Sequence, residues 1–133
     1  MTISLISSHI TVTDPELALT FYRDALGLEV QADVANPAGR WITLVCPDQP
    51  EVMVVLSEPH AGRSPEDAET LARLVTKGAF QAATFAVSDV DETFEKVRAS
   101  GAEAMQEPMD QPWGVRDCAF RDPAGNMVRI NQA

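Results

Sequence analysis

The stretch Asp117 to Asn131, DCAFRDPAGNMVRIN, reads as a strand, a tight turn at Asp122-Pro123-Ala124-Gly125-Asn126, and a second strand near the end of the chain. Pro123 pre-sets its own φ and Gly125 tolerates positive φ, so the two apolar runs fold back on each other as a hairpin. Side chains alternate along a strand, so Met127, Arg129 and Asn131 point one way and Val128 and Ile130 the other. Arg129 therefore lies opposite the aliphatic face, and what it meets there bears on function.

Outward from the hairpin, the whole chain shows an internal repeat. Leu5 to Val12 alternates as a strand, Asp14 and Pro15 open a helix carrying Leu17, Phe21, Tyr22, Ala25 and Leu26 on one side, and Gly27 closes it. Strands follow at Leu28–Val34, Arg40–Cys46 and Val52–Ser57, giving β-α-β-β-β over residues 1–57. After residue 79 the pattern returns. Phe80–Val87 is a strand and Asp89 with Glu92 caps a helix lined by Val90, Phe94 and Val97, which ends at Gly101. Strands are then expected at Ala102–Gln106, Val115–Phe120 and Met127–Asn131, with Glu107–Pro112 as a loop. Val12-Thr13-Asp14 aligns with Val87-Ser88-Asp89, and such self-similarity marks a duplicated unit. Between the copies, residues 58–79 form a polar linker with one amphipathic helix, opened by Ser64 and Pro65 and ending at Gly78, or a lid. The fold class expected is α+β, a single domain made of module 1–57, linker helix 58–79 and module 80–133.

Composition narrows the function classes. The chain has 133 residues, 45% of them hydrophobic, enough for one compact domain. A net charge of −10 argues against nucleic acid or an anionic membrane as partner, since both need clustered cations. No run approaches the roughly 18 apolar residues of a membrane span, and MTISLISSHI lacks the basic start and long apolar core of a signal peptide, so a cytoplasmic protein is expected. Cys46 and Cys118 fall inside expected strands without zinc-site spacing and read as reduced, buried thiols.

The spacing of Val12, Asp14, Phe21, Tyr22, Leu26 and Gly27, together with the late FRDPAGN hairpin, resembles the vicinal oxygen chelate superfamily, which includes glyoxalase I, bleomycin-resistance proteins and extradiol dioxygenases. The resemblance covers essentially the whole chain. It implies paired modules whose sheets enclose a cup, within one chain or across a dimer, and a homodimer is the expected assembly. It also implies where metal ligands would stand: Ser7 and Ala82 in the first strands, seven residues before Asp14 and Asp89, and Val55 and Arg129 in the last strands. Ala and Val offer no lone pairs and a guanidinium repels a cation, so no metal or other cofactor is expected. His9 faces the same side as Ser7 but lacks carboxylate partners at the other positions.

Residues 10, 12, 54, 56, 85, 87, 128 and 130 are all apolar, as a surface under helices requires. The opposite set, Ser7, His9, Thr11, Ser57, Thr84, Arg129 and Asn131, is mixed and polar, and reads either as a ligand-binding face or as a solvated one. Arg129 either pairs with a carboxylate such as Asp117 or binds an anionic or carbonyl group through its planar fork. His9 reads as a hydrogen-bonding lining residue, with acid/base chemistry open to it because its pKa lies near neutrality. The expected ligand-binding set is His9, Arg129, Ser7, Thr11, Val55, Thr84, Trp41, Trp113 and Asn131, the two tryptophans at strand starts near the rim, with His9 and Arg129 lining one cavity. The function expected is small-molecule binding without metal, similar to the antibiotic-sequestering branch of the family. The alternative is an enzyme of that superfamily, a lyase, isomerase or dioxygenase, either metal-independent through His9 and Arg129 or using a divalent metal at other ligands.

Overall fold

The computed structural model describes residues 1–133, and the chain divides into two compact units, Met1–Arg73 and Leu74–Ala133. The first contains β1 (Ser7–Thr11), α1 (Pro15–Leu19), β2 (Glu29–Asn36), β3 (Gly39–Cys46) and β4 (Gln49–Ser57). Helix α2 (Pro65–Thr76) carries the chain onward, and β5 (Gln81–Val87), α3 (Val90–Ala99), β6 (Glu103–Asp110), β7 (Arg116–Arg121) and β8 (Met127–Gln132) follow. Each unit holds one four-stranded mixed sheet, ordered β1-β4-β3-β2 in the first and β5-β8-β7-β6 in the second. The first strand of each sheet pairs in parallel with the last, and the remaining pairs are antiparallel. The repeat in the sequence is thus a repeat of topology, in the α+β class expected.

Local chemistry sets the helix ends. Asp14 caps α1, its Oδ1 accepting from the backbone N–H groups of Glu16 and Leu17 at 3.0 and 3.2 Å, and Asp89 caps α3 by accepting from Glu92 N–H at 3.1 Å. Ser64 does the same for Asp67 N–H at 3.2 Å. Two expectations need correction. The first helix does not run as an α-helix to Leu26: after Leu19 it widens into a π-helical turn over Thr20–Ala25, in which Phe21, Tyr22 and Ala25 are buried. Strand β6 does not stop at Gln106 but continues through Pro108 to Asp110, because shifts in register between Ala104 and Gln106, and again before Met109, accommodate it.

One face of each sheet is apolar and buried. In the first unit Ile10, Val12, Ile42, Leu44 and Leu56 join Ala18, Leu19, Phe21, Tyr22 and Leu28. In the second, Phe120, Val128 and Ile130 join Val90, Phe94 and Val97, with the Phe94 and Phe120 rings 5.2 Å apart. Each such aliphatic side chain contributes about 1.5–3 kcal/mol by leaving water, which fixes the register and hence the residues on the opposite face. The DPAGN turn is built as the sequence suggests: Asp122 Oδ1 accepts from the N–H groups of Ala124, Gly125 and Asn126 at 3.0, 2.9 and 2.9 Å. Gly125 has φ +117°, and a Cβ there would sit 2.5 Å from the Val75 carbonyl oxygen of α2.

Candidate functional site

Register assembles the polar face of the first unit row by row, because residues directly opposite on neighbouring strands project to the same side. His9 of β1, Val55 of β4 and Thr43 of β3 form one row, and Thr11, Ser57 and Trp41 form the next. Ser7 stands opposite Met53, which stands opposite Val45. His9 is exposed, whereas Ser7, Thr11, Trp41 and Val55 are half-buried and Ser57 is buried. The rows through His9 and Thr11 hold no carboxylate on β1, β3 or β4, while Glu29 of β2 stands opposite Val45 in the Ser7 row.

In the second unit, Thr84, Arg129, Ala119 and Gln106 form one row, and Ala86, Asn131, Asp117 and Met109 the next. The centre of this face is a polar network. Arg129 Nη1 donates to Asp117 Oδ2 at 3.1 Å and to Gln106 Oε1 at 3.2 Å. Asp117 Oδ1 accepts from Gln106 Nε2 at 2.8 Å and from Gln111 Nε2 at 2.9 Å. The Asp117 side chain is only 1% exposed and that of Arg129 32%. Burial of Asp117 works against its ionisation, but the hydrogen bonds from Gln111 and Gln106 and the charge and hydrogen bond of Arg129 outweigh it, holding the carboxyl below its ordinary range. Beside Asp117, Asn131 Oδ1 is buried without a hydrogen-bond donor.

Of the two readings open for Arg129, the pairing with Asp117 is present, and it leaves Nε and Nη2 of the guanidinium for another acceptor. His9 and Arg129 lie in different units. Trp41 is the third residue of β3, but Trp113 is not at a strand start. It sits in the turn between β6 and β7, closed by Gly114 N–H on Gln111 O at 3.0 Å, and is 72% exposed. Thr84 is exposed and Asn131 half-buried. Gln106 and Gln111, which tie the network together, are absent from the set expected from the sequence.

The positions implied for metal ligands carry a poor donor set. Ser7 and His9 are on β1, and Val55, directly opposite His9, offers only methyl groups. Ala82 falls at the irregularity in β5 between Gln81 and Ala83, and Arg129 brings a positive charge already engaged by Asp117. Nowhere do three or more His, Cys, Asp or Glu side chains gather so as to hold a metal ion. These residues do not fit a divalent cation.

A duplicated β-α-β-β-β unit, each copy with one buried apolar sheet face and one polar face, defines a class. The chain belongs to the Glyoxalase/Bleomycin resistance protein/Dioxygenase superfamily, whose family model matches residues 3–130. It is 30% identical over 128 residues to the uncharacterized protein YurT of Bacillus subtilis (strain 168), covering 96% of this chain and 98% of that one. Among solved structures it resembles UcmS2, with 31% identity, a TM-score of 0.89 and 98% of each chain covered. It also resembles TnmS3, an antibiotic binding protein from Streptomyces sp. CB03234, with 26% identity, a TM-score of 0.76 and 99% and 98% of the two chains covered.

Proposed function

We propose that this chain is a binding protein for a small organic molecule, which it holds without a metal and without transforming it. The observation that carries the reading is the replacement of the family's ligand positions by Ser7, Val55, Ala82 and Arg129, with Arg129 fixed by Asp117 and Gln106 so that its remaining N–H groups are pre-oriented toward an acceptor. Likeness to an antibiotic binding protein supports the same reading. Contact with the ligand is assigned to the polar faces of the two sheets: Ser7, His9, Thr11, Trp41 and Val55 from the first, and Thr84, Arg129 and Asn131 from the second, with Trp113 at the β6–β7 turn.

Two further parts of the reading have separate support. Ile3, Leu5 and Ile6 are 90%, 64% and 61% exposed, an apolar segment suited to a partner copy in a homodimer. Cys46 and Cys118 are free thiols, which suits a reducing cytoplasm. No helix is long and apolar enough to cross a membrane.

The test is titration of chelator-treated protein with a panel of natural-product antibiotics, bleomycin among them, followed through tryptophan fluorescence and native mass spectrometry. The reading expects at least one compound to bind stoichiometrically, to be released chemically unchanged, and to bind less well to Arg129→Ala. Stoichiometric metal bound through any of Ser7, Val55, Ala82 or Arg129, with turnover of the compound, would overturn it.

A further inference from the structure

We infer that Asp117 sets the charge of the ligand: because a buried carboxylate already neutralises Arg129, this polar face takes an uncharged oxygen acceptor, such as an amide or ketone carbonyl, in preference to a carboxylate or phosphate. The inference rests on the ligand-binding function proposed above and specifies the class of group that meets Arg129.

Charges on the face cancel. Arg129 and Asp117 are joined at 3.1 Å, and the other members of their two rows, Thr84, Ala119, Gln106, Ala86, Asn131 and Met109, are neutral. An anion docked on Arg129 would meet the guanidinium and, close behind it, a carboxylate held ionised by Gln106, Gln111 and Arg129 itself. The buried Asn131 Oδ1 is an acceptor without a donor and offers an anion no hydrogen bond. An incoming carboxylate thus exchanges strong hydration for an environment of no net positive charge, which is unfavourable, whereas a carbonyl loses little hydration and gains one charge-assisted hydrogen bond.

Elsewhere in the molecule the arginines are already engaged. The chain carries a net charge of −10. Seven arginines lie within ion-pair distance of this chain's own carboxylates: Arg23 with Asp24, Arg40 with Asp33 and Glu16, Arg73 with Glu69, Arg98 with Glu95, Arg116 with Asp91 and Asp110, Arg121 with Glu103, and Arg129 with Asp117. The remaining one, Arg63, donates to the Pro59 carbonyl. The net charge therefore works against long-range steering of anions, and Arg129 is locally compensated by Asp117.

A matched pair of probes isolates the effect: 1-naphthamide and 1-naphthoate share a ring and differ in the charge of the group offered to Arg129. Dissociation constants are measured by NMR titration of the full chain at neutral pH, for wild type, Asp117→Asn and Arg129→Ala, with circular dichroism confirming the fold of each. Wild type should bind the amide about five- to tenfold more tightly than the carboxylate, the effect of one uncompensated charge near a protein surface. Asp117→Asn should reverse that preference, and Arg129→Ala should weaken the amide. Tighter binding of naphthoate by wild type, or a ratio that Asp117→Asn leaves unchanged, overturns the inference while leaving the binding function standing. Should Asp117→Asn fail to fold, the wild-type ratio and the weakening of the amide in Arg129→Ala decide the matter. If neither probe binds, or both are indifferent to Arg129→Ala, the assignment of Arg129 to ligand binding is itself wrong, and the inference falls with it.

Discussion

Asp117 Oδ2 accepts a hydrogen bond from Arg129 Nη1 at 3.1 Å across the β7–β8 pair, although the two residues are not direct register partners: Asp117 stands opposite Asn131, and Arg129 opposite Ala119. The long arginine side chain crosses one row diagonally to reach the carboxylate. One partner is buried and the other a third exposed, so the pair anchors the guanidinium through Nη1 while part of the arginine side chain stays accessible.

That relationship gives stability a sign with pH. The Asp117 carboxyl is depressed in the folded chain, so its contribution is fully present above the unfolded value of about 3.9 and is lost as pH falls through the lower folded value. Wild type should lose stability on acidification through that window, and Asp117→Asn should show a shallower decline. At neutral pH the substitution should cost about 1–3 kcal/mol, the range for a hydrogen bond to a charged group. Denaturant melts between pH 7 and pH 2.5 check both slopes, and parallel curves for the two proteins would contradict the assignment.

The DPAGN turn should be the most sensitive loop in the second unit. Asp122→Ala removes the acceptor for three backbone N–H groups and should cost about 3 kcal/mol. Gly125→Ala forces a Cβ against the Val75 carbonyl oxygen at a positive φ, and should cost at least about 2 kcal/mol. Thermal denaturation measures each, and a wild-type midpoint for Gly125→Ala would show that α2 does not press on the turn.

Arg121 is a structural residue. Its Nη1 donates to the Gly125 carbonyl at 2.8 Å, and the guanidinium lies where a Cβ on Gly78 would clash. Arg121→Ala should destabilise by about 1 kcal/mol while changing 1-naphthamide affinity less than twofold, in contrast to Arg129→Ala. Equal effects of the two substitutions on affinity would remove the distinction between them.

Much of this was legible in the sequence because two periodicities and a few caps reinforce one another. The alternation of Val128, Arg129, Ile130 and Asn131 fixed which side chains leave the core, and Asp14, Ser64 and Asp89 marked helix starts that the hydrogen bonds reproduce. Less legible was the network around Arg129. Gln106 lies at an irregularity in β6 and Gln111 beyond that strand's end, where no period predicts direction, so nothing in the spacing announced that both would close on Asp117. The π-helical turn at Thr20–Ala25 was equally hidden, since the same apolar residues suit an α-helix; the five-residue bond from Leu26 N–H to Phe21 O at 2.9 Å reveals the wider winding.

Assembly offers a further check. The exposed Ile3, Leu5 and Ile6 lead to the expectation that sedimentation at micromolar concentration shows twice the 14.4 kDa chain mass, and that Leu5→Asp with Ile6→Asp shifts the protein toward monomer. A wild-type protein that sediments as a monomer throughout that range would remove the dimer from the account.

The measurement that bears most directly on the central claim is isothermal titration of chelator-treated wild type and Arg129→Ala with an antibiotic retained by the wild type in native mass spectrometry. Metal-free binding anchored by Arg129 predicts stoichiometric, metal-independent affinity in the wild type, weakened in Arg129→Ala by about 1–3 kcal/mol. Binding that appears only when a divalent metal is restored, or that is unchanged without the Arg129 guanidinium, would contradict it.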